Sequence, residues 1–128
     1  MEKKIYLAIP YSGLQEESFK VANLVAAQLM QEGHIVFSPI SHSHSISEQC
    51  SLPTNWEFWV EQDEAFVKWA DAVYVIILKD DGLNRIRNSV GVQGELLIAR
   101  DNNIPVRYLF FNESNNKWEI DGSTYNWD

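Results

Sequence analysis

The sequence has 128 residues, of which 45% are hydrophobic and 22% charged; that suffices for one domain of common size with a real core and excludes an unfolded chain. Its 18 acidic and 10 basic residues give a net charge of −8, with no basic run beyond Lys3-Lys4. A duplex-binding surface needs clustered Lys and Arg, so a nucleic acid polymer is excluded as a partner while single nucleotides are not.

A lone cysteine, Cys50, leaves no internal disulfide and fits a reducing compartment; on its own it reads as an unremarkable loop thiol. Between Met1-Glu2-Lys3-Lys4 and Pro10 stand only five residues, Ile5 to Ile9, too few for a signal-peptide core, and no stretch approaches the roughly 20 apolar residues of a membrane span. The expectation is a cytoplasmic protein with no membrane partner.

In chain order, Ile5-Tyr6-Leu7-Ala8-Ile9 is a continuous apolar run ended by Pro10, the pattern of a buried strand, and Pro10-Tyr11-Ser12-Gly13 reads as a turn. From Glu16 to Glu32, Phe19, Ala22, Ala26, Leu29 and Met30 recur at helical spacing, closed by Gly33. Ile35 to Ser38 is a second strand, stopped by Pro39. Ser41 to Leu52 is polar and reads as a long loop, a frequent place for function. Thr54-Asn55-Trp56-Glu57 has the form of a capping box, opening a helix to about Ala70 with Phe58, Phe66 and Val67 on its buried face.

Ala72 to Leu78 is the most strand-like run and the expected centre of the sheet. Lys79 to Asn88 reads as a loop, Ser89 to Arg100 as a helix and Val106 to Phe111 as a fourth strand, with a short strand expected around Trp118-Glu119-Ile120. No repeat, low-complexity tract or linker interrupts residues 1–128, which read as one domain.

Strands alternating with helices specify an α/β fold: a three-layer, doubly wound, flavodoxin- or Rossmann-like parallel sheet of four to five strands. Ligands bind outside the carboxyl ends of such strands, which singles out three loops: Pro10 to Gly13, Ser38 to His44 and Lys79 to Ser89. A flavodoxin or response-regulator function is set aside, since Pro10-Tyr11-Ser12 stands where an acidic cluster is needed.

Two carboxylates stand out by position: Glu95 near the start of the third helix and Asp63 within the second. Paired carboxyl groups are the usual equipment for cleaving a glycosidic bond, one attacking the anomeric carbon and the other assisting the leaving group. Each alone also fits a solvated helix position. Asp71 fits a turn residue bonding its own backbone. Ser89 and Gly91 open the third helix, and a helix N-terminus attracts anions. Ser12 and Gly13 stand at the same sheet edge.

His42 and His44 lack an evident third ligand, so no metal and no cofactor is expected; hydrogen bonds to substrate base or phosphate suit them better. Trp56 and Trp59 fit helix packing better than base stacking.

Tyr6-Leu7-Ala8-Ile9-Pro10-Tyr11-Ser12, Phe37-Ser38-Pro39-Ile40-Ser41-His42-Ser43-His44 and Ser89-Val90-Gly91-Val92-Gln93-Gly94-Glu95 together resemble the nucleoside 2-deoxyribosyltransferase superfamily, in its small DUF1937-like branch, over roughly residues 5 to 110. The resemblance implies that Glu95 is the nucleophile forming a covalent sugar–enzyme ester, that Asp63 protonates the departing base, and that Tyr6 positions the nucleophile.

At the place of Ser89, nucleoside transferases carry an aspartate that binds the 5′-hydroxyl. Nucleoside 5′-monophosphate N-glycosidases carry a serine that donates to phosphate. Serine therefore points to a nucleotide, with a Ser12-Gly13 and Ser89-Gly91 cradle. The expected activity is N-glycosidic cleavage or base exchange on a nucleoside 5′-monophosphate or nucleoside; the alternative is a nucleotide-binding protein using the same pocket.

One departure is the segment Asn84-Arg85-Ile86-Arg87, read as a phosphate-binding or lid loop or as solvated charges. The superfamily resemblance also implies a homodimer or higher homo-oligomer, with Tyr125-Asn126-Trp127-Asp128 available to complete a neighbour's pocket.

Overall fold

The computed structural model describes residues 2–127. Five strands form one sheet in the order β2-β1-β3-β4-β5: β1 (Lys4–Ala8), β2 (Ile35–Phe37), β3 (Ala72–Ile76), β4 (Val106–Asn112) and β5 (Lys117–Asp121). The first four pair in parallel, and β5 returns antiparallel along β4. Five helices connect them: α1 (Gln15–Gln31), α2 (Pro39–Cys50), α3 (Trp56–Trp69), α4 (Gly82–Asn88) and α5 (Val90–Asp101). This is the expected three-layer α/β fold, in the flavodoxin-like strand order. No helix among the described residues is long and apolar enough to cross a membrane.

Side chains on a strand alternate between faces, and that alternation divides the core. Ile5, Leu7 and Ile9 pack with Tyr74 and Ile76 against Ala22, Val25, Ala26 and Leu29 of α1. Tyr6 and Ala8 point the other way, with Val73 and Val75, toward Val67 of α3, Ile86 of α4, and Val92 and Ala99 of α5. All five residues of β3 are buried, as a central strand requires. Gly33 ends α1 at φ +98°, where glycine avoids a Cβ penalty.

Several local expectations are corrected. The polar segment after β2 is a helix: Ser38 caps it by accepting from the Ser41 N–H, and Pro39 opens its first turn. Its inward positions hold Ile40 and the buried His44, so it shows little apolar periodicity. The loop after β3 likewise closes into α4, anchored by the fully buried Ile86.

The Thr54–Glu57 capping box does not form. Asn55 is the N-cap without a side-chain cap bond, and Glu57 instead accepts from Asn55 Nδ2 at 3.0 Å. Phe58 is exposed rather than buried. Asp71 bonds the backbone of β1 rather than its own, accepting from the N–H groups of Lys3 (3.1 Å) and Lys4 (2.8 Å). These bonds hold its carboxyl below the ordinary range.

The layered core sets unequal sensitivities. Ile76 is fully buried and Ile120 is 51% exposed. Ile76→Ala is expected to cost about 2–5 kcal/mol by denaturant unfolding, and Ile120→Ala to stay within about 0.5 kcal/mol of wild type.

Candidate active site

The alternation along β1 that buries Ile5 and Leu7 under α1 aims Tyr6 at α3 and α5. There its hydroxyl donates to Glu95 Oε2. Glu95 is held on α5, whose start is fixed by Ser89: the serine Oγ accepts the Val92 N–H at 3.1 Å, and its carbonyl takes the first intrahelical bond, from Gln93. Asp63 comes from α3 and stands close enough for the Tyr6 hydroxyl to lower its carboxyl pKa. The three residues assigned to catalysis by resemblance are therefore brought together by three separate elements.

Burial dominates the electrostatics of this trio. Glu95 is 6% exposed, and loss of water pushes its carboxyl well above the ordinary range; the nearby Asp63 charge pushes the same way and the Tyr6 hydrogen bond opposes both. Desolvation also raises Asp63, to about 6, again opposed by Tyr6. Burial and the two acids keep the Tyr6 phenol protonated. Two desolvated carboxyl groups in mutual reach cannot both ionise freely, so the pair retains a proton toward neutral pH. A retained proton beside an anion is what acid-assisted displacement needs.

Above the trio opens a cavity of about 410 Å³, a size that accommodates a small ligand. Glu95 and Asp63 line it, with Ser12 from the turn after β1, His44 from α2, and Ser89 and Gly91 from the start of α5. Tyr6 lies beneath the lining, against Glu95. Gly13 and His42 do not reach the cavity. Gly13 takes φ +77° in the exposed turn ahead of α1, and His42 is exposed beside Phe37, with ring centroids 5.5 Å apart.

Of the three loops at the strand ends, the first two contribute side chains. The third contributes only Ser89. Arg85 turns to Asp80, and Arg87 lies 5.6 Å from the Trp127 ring, so neither arginine lines the cavity. Among the described residues no Lys or Arg does, whereas Glu57 joins Asp63 and Glu95. The tail packs on its own chain: Trp127 Nε1 donates to the Tyr108 hydroxyl at 2.9 Å, and the Tyr125 ring meets Tyr108 edge-on.

The start of α3 is the part of the wall that sequence reasoning underweighted. Trp56 and Trp59, read as packing residues, both face the cavity. Trp59 is fixed by its Nε1 bond to the Pro53 carbonyl at 2.8 Å. Trp56 lies in a notch at Gly94, where a Cβ would come within 2.4 Å of the indole. The signal lay in Gly94 itself, a glycine inside a helix seven residues before its end, which calls for a packing reason. Tyr11 was also missed, although it stands in the turn after β1 and lines the cavity.

The histidines separate. The sequence makes no third ligand evident, and folding brings two carboxylates to His44: Glu16 and Glu48 reach its Nε2 at 3.3 and 3.2 Å. Glu48 is one helical turn away on α2, and folding brings Glu16 from α1. His42 is not part of this group.

Because the Asp63 value in the folded protein lies above the ordinary 3.8, at about 6, ionising this carboxyl costs stability. The cost is full above the folded value and gone below the ordinary one. Asp63→Asn is therefore expected to stabilise the fold by about 1–2 kcal/mol at about pH 8, after allowance for partial exposure, and to lose that gain below about pH 4. Denaturant unfolding across pH checks this; a gain that grows as pH falls would contradict it.

Among solved structures, the chain is similar to a 2-deoxyribosyltransferase from the psychrotolerant bacterium Bacillus psychrosaccharolyticus, described as a suitable biocatalyst for industrial synthesis of antiviral and antitumoral nucleosides. The TM-score is 0.57 and the identity 27%, over 96% of this chain and 77% of that one. Comparison with curated proteins gives no match. Residues 3–109 match the model of a family described as a domain of unknown function, DUF1937. That match runs from before β1 into β4 and takes in Tyr6, Asp63, Ser89 and Glu95; the chain belongs to the DUF1937 family.

Proposed function

We propose that this chain cleaves the N-glycosidic bond of a nucleoside, deoxy sugars favoured, and passes the sugar to water or to a second base. The single observation that carries the reading is the buried Tyr6–Glu95 pair with Asp63 beside it at the floor of the cavity. The likeness to a 2-deoxyribosyltransferase supports the same chemistry.

In this mechanism Tyr6 donates to one oxygen of Glu95 and stabilises its anion. The other oxygen attacks C1′; the bond from C1′ to the base nitrogen breaks, and the base departs with the electron pair and a proton from Asp63. The resulting sugar ester on Glu95 is opened at C1′ by water or by a base nitrogen, which gives its proton to Asp63 and frees the Glu95 carboxylate. Trp56 and Trp59 provide aromatic surface for the base. Ser12, Ser89, Gly91 and His44 line the cavity where the sugar and its 5′ end are held.

Lining chemistry bears on the 5′ group. With carboxylates in the wall and no Lys or Arg, an uncharged 5′-hydroxyl is accommodated more easily than a dianionic phosphate. A nucleoside 5′-monophosphate is the second reading, favoured by Ser89: its oxygen is occupied by the Val92 N–H, which leaves its O–H to donate at a helix N-terminus.

Incubation with each nucleoside and each 5′-monophosphate, with and without a second base, followed by chromatography for released or exchanged base, tests the reading. Deoxynucleosides are expected to react, with release when no acceptor is present. Tight stoichiometric retention of a ligand without base release would instead establish a binding protein.

Glu95→Gln is expected to lower turnover by roughly 10⁴-fold or more and to prevent formation of a trapped sugar–protein ester seen by mass spectrometry. Full activity in that variant removes the assignment.

Proton donation by Asp63 requires its neutral form. Wild-type turnover should therefore decline as pH rises above about 6. Asp63→Asn should lower the rate by about 10²–10⁴-fold and abolish that limb of the profile.

A further inference from the structure

At the edge of the same cavity stands a group of side chains of which only His44 belongs to the lining given to the sugar. His44 is only 5% exposed. Its ring stacks on Phe19, with centroids 4.4 Å apart and planes at 26°, and its Nδ1 lies 2.6 Å from the Tyr11 hydroxyl. Packed on one side and held at one nitrogen, the ring directs Nε2 at two carboxylates: Glu16 Oε1 at 3.3 Å and Glu48 Oε2 at 3.2 Å. The three donor atoms lie within 4.8 Å of one another. When Nδ1–H donates to the Tyr11 oxygen, Nε2 turns its lone pair toward two anions. That arrangement calls for a cation between them.

We propose that Glu16, His44 and Glu48 bind a divalent transition-metal ion of the zinc type, through His44 Nε2 and one oxygen from each glutamate. Tetrahedral coordination at about 2.0–2.1 Å places neighbouring donor atoms about 3.3 Å apart, matching both nitrogen–oxygen separations. One imidazole with two carboxylates suits zinc or manganese better than calcium, which takes six or more oxygens. The Tyr11 hydroxyl fixes the tautomer and orientation of the ligating ring from its far nitrogen, as outer partners of metal-bound histidines do. Both glutamates are well exposed and free to close on an ion. The bound ion clasps the first turn of α1 to the middle of α2, beside the Tyr11 and His44 lining. This proposal stands independently of the reaction assigned to Glu95.

A proton on Nε2 satisfies the same separations without metal, and the test separates the two. Chelator-treated full-length protein is dialysed against Zn²⁺, then analysed for bound metal and thermal unfolding. The expected result is one equivalent of zinc and a raised Tm. The double variant E16Q/E48Q changes only exposed side chains; it should keep its metal-free circular dichroism and Tm, lose the zinc-dependent rise and bind at least about tenfold more weakly. Tyr11→Phe should weaken binding by about 10- to 100-fold, an effect that adventitious binding at surface carboxylates would not show. Cys50→Ser and His42→Ala should leave stoichiometry unchanged. Uptake below one equivalent, or uptake equal in wild type and E16Q/E48Q, overturns the proposal.

Discussion

A carboxylate taken out of water must be partnered or protonated, and this site depends on the single phenol that acts as partner. Tyr6 donates to Glu95 and touches Asp63 from a position with no access to solvent. An arginine in its place would depress both carboxyl groups by direct charge and leave no proton to give. A phenol stabilises an anion through one directed bond and adds no charge, so the pair keeps its proton. Burial supplies the elevation, and Tyr6 opposes it at both carboxyl groups.

The fold holds that phenol in place from a distance. β1 lies between β2 and β3 and is paired along both sides, with Tyr6 opposite Phe37 and Val73. At the far end of the sheet, Asp71 binds the backbone of Lys3 and Lys4, tying the start of β3 to the start of β1. A one-residue slip of β1 would turn Tyr6 to the α1 face and aim Leu7 at the carboxylates. Register is thus the link between strand pairing and chemistry. It is secured away from the cavity, which leaves the carboxyl ends of the strands free to shape a ligand site.

The strongly apolar parts of this fold were legible in the sequence because their periodicity is set by burial. The first four strands, α1 and the start of α5 at Ser89 follow from apolar runs, Gly33 and one hydroxyl. What could not be read in this way is what buries polar or aromatic side chains. α2 escaped notice because its inward face holds a histidine; α4 has one buried apolar anchor, Ile86, in seven residues.

The same limit governs the site. Tyr6 and Glu95 were singled out by motifs and Asp63 by its place on a helix, Ser12 and His44 by their place after strand ends, and Ser89 and Gly91 by a helix start; folding gathers them at one cavity. Trp56 and Trp59 were assigned to packing because an indole facing a cavity and one facing a core leave the same trace in a sequence. The grouping of Glu16 with His44 depends on a long-range contact between α1 and α2 that no local pattern encodes. Gly13 follows Ser12 in the chain and His42 shares a motif with His44, yet neither lines the cavity.

The two glycines of α5 show how this helix is specialised. Gly94 leaves a notch that the protein itself fills with Trp56, whereas a Cβ at Gly91 would meet nothing within 4 Å. Gly91 is one helical turn before Glu95 and lines the same cavity, so the missing side chain leaves that part of the wall open. Each glycine inside a helix costs about 1 kcal/mol relative to alanine, and α5 is only twelve residues long. Its helicity therefore depends on the Ser89 cap and on Val92 and Ala99 packed beneath. Conformational preference has been traded for shape: one gap seats an aromatic wall, and the other leaves the cavity open beside Glu95.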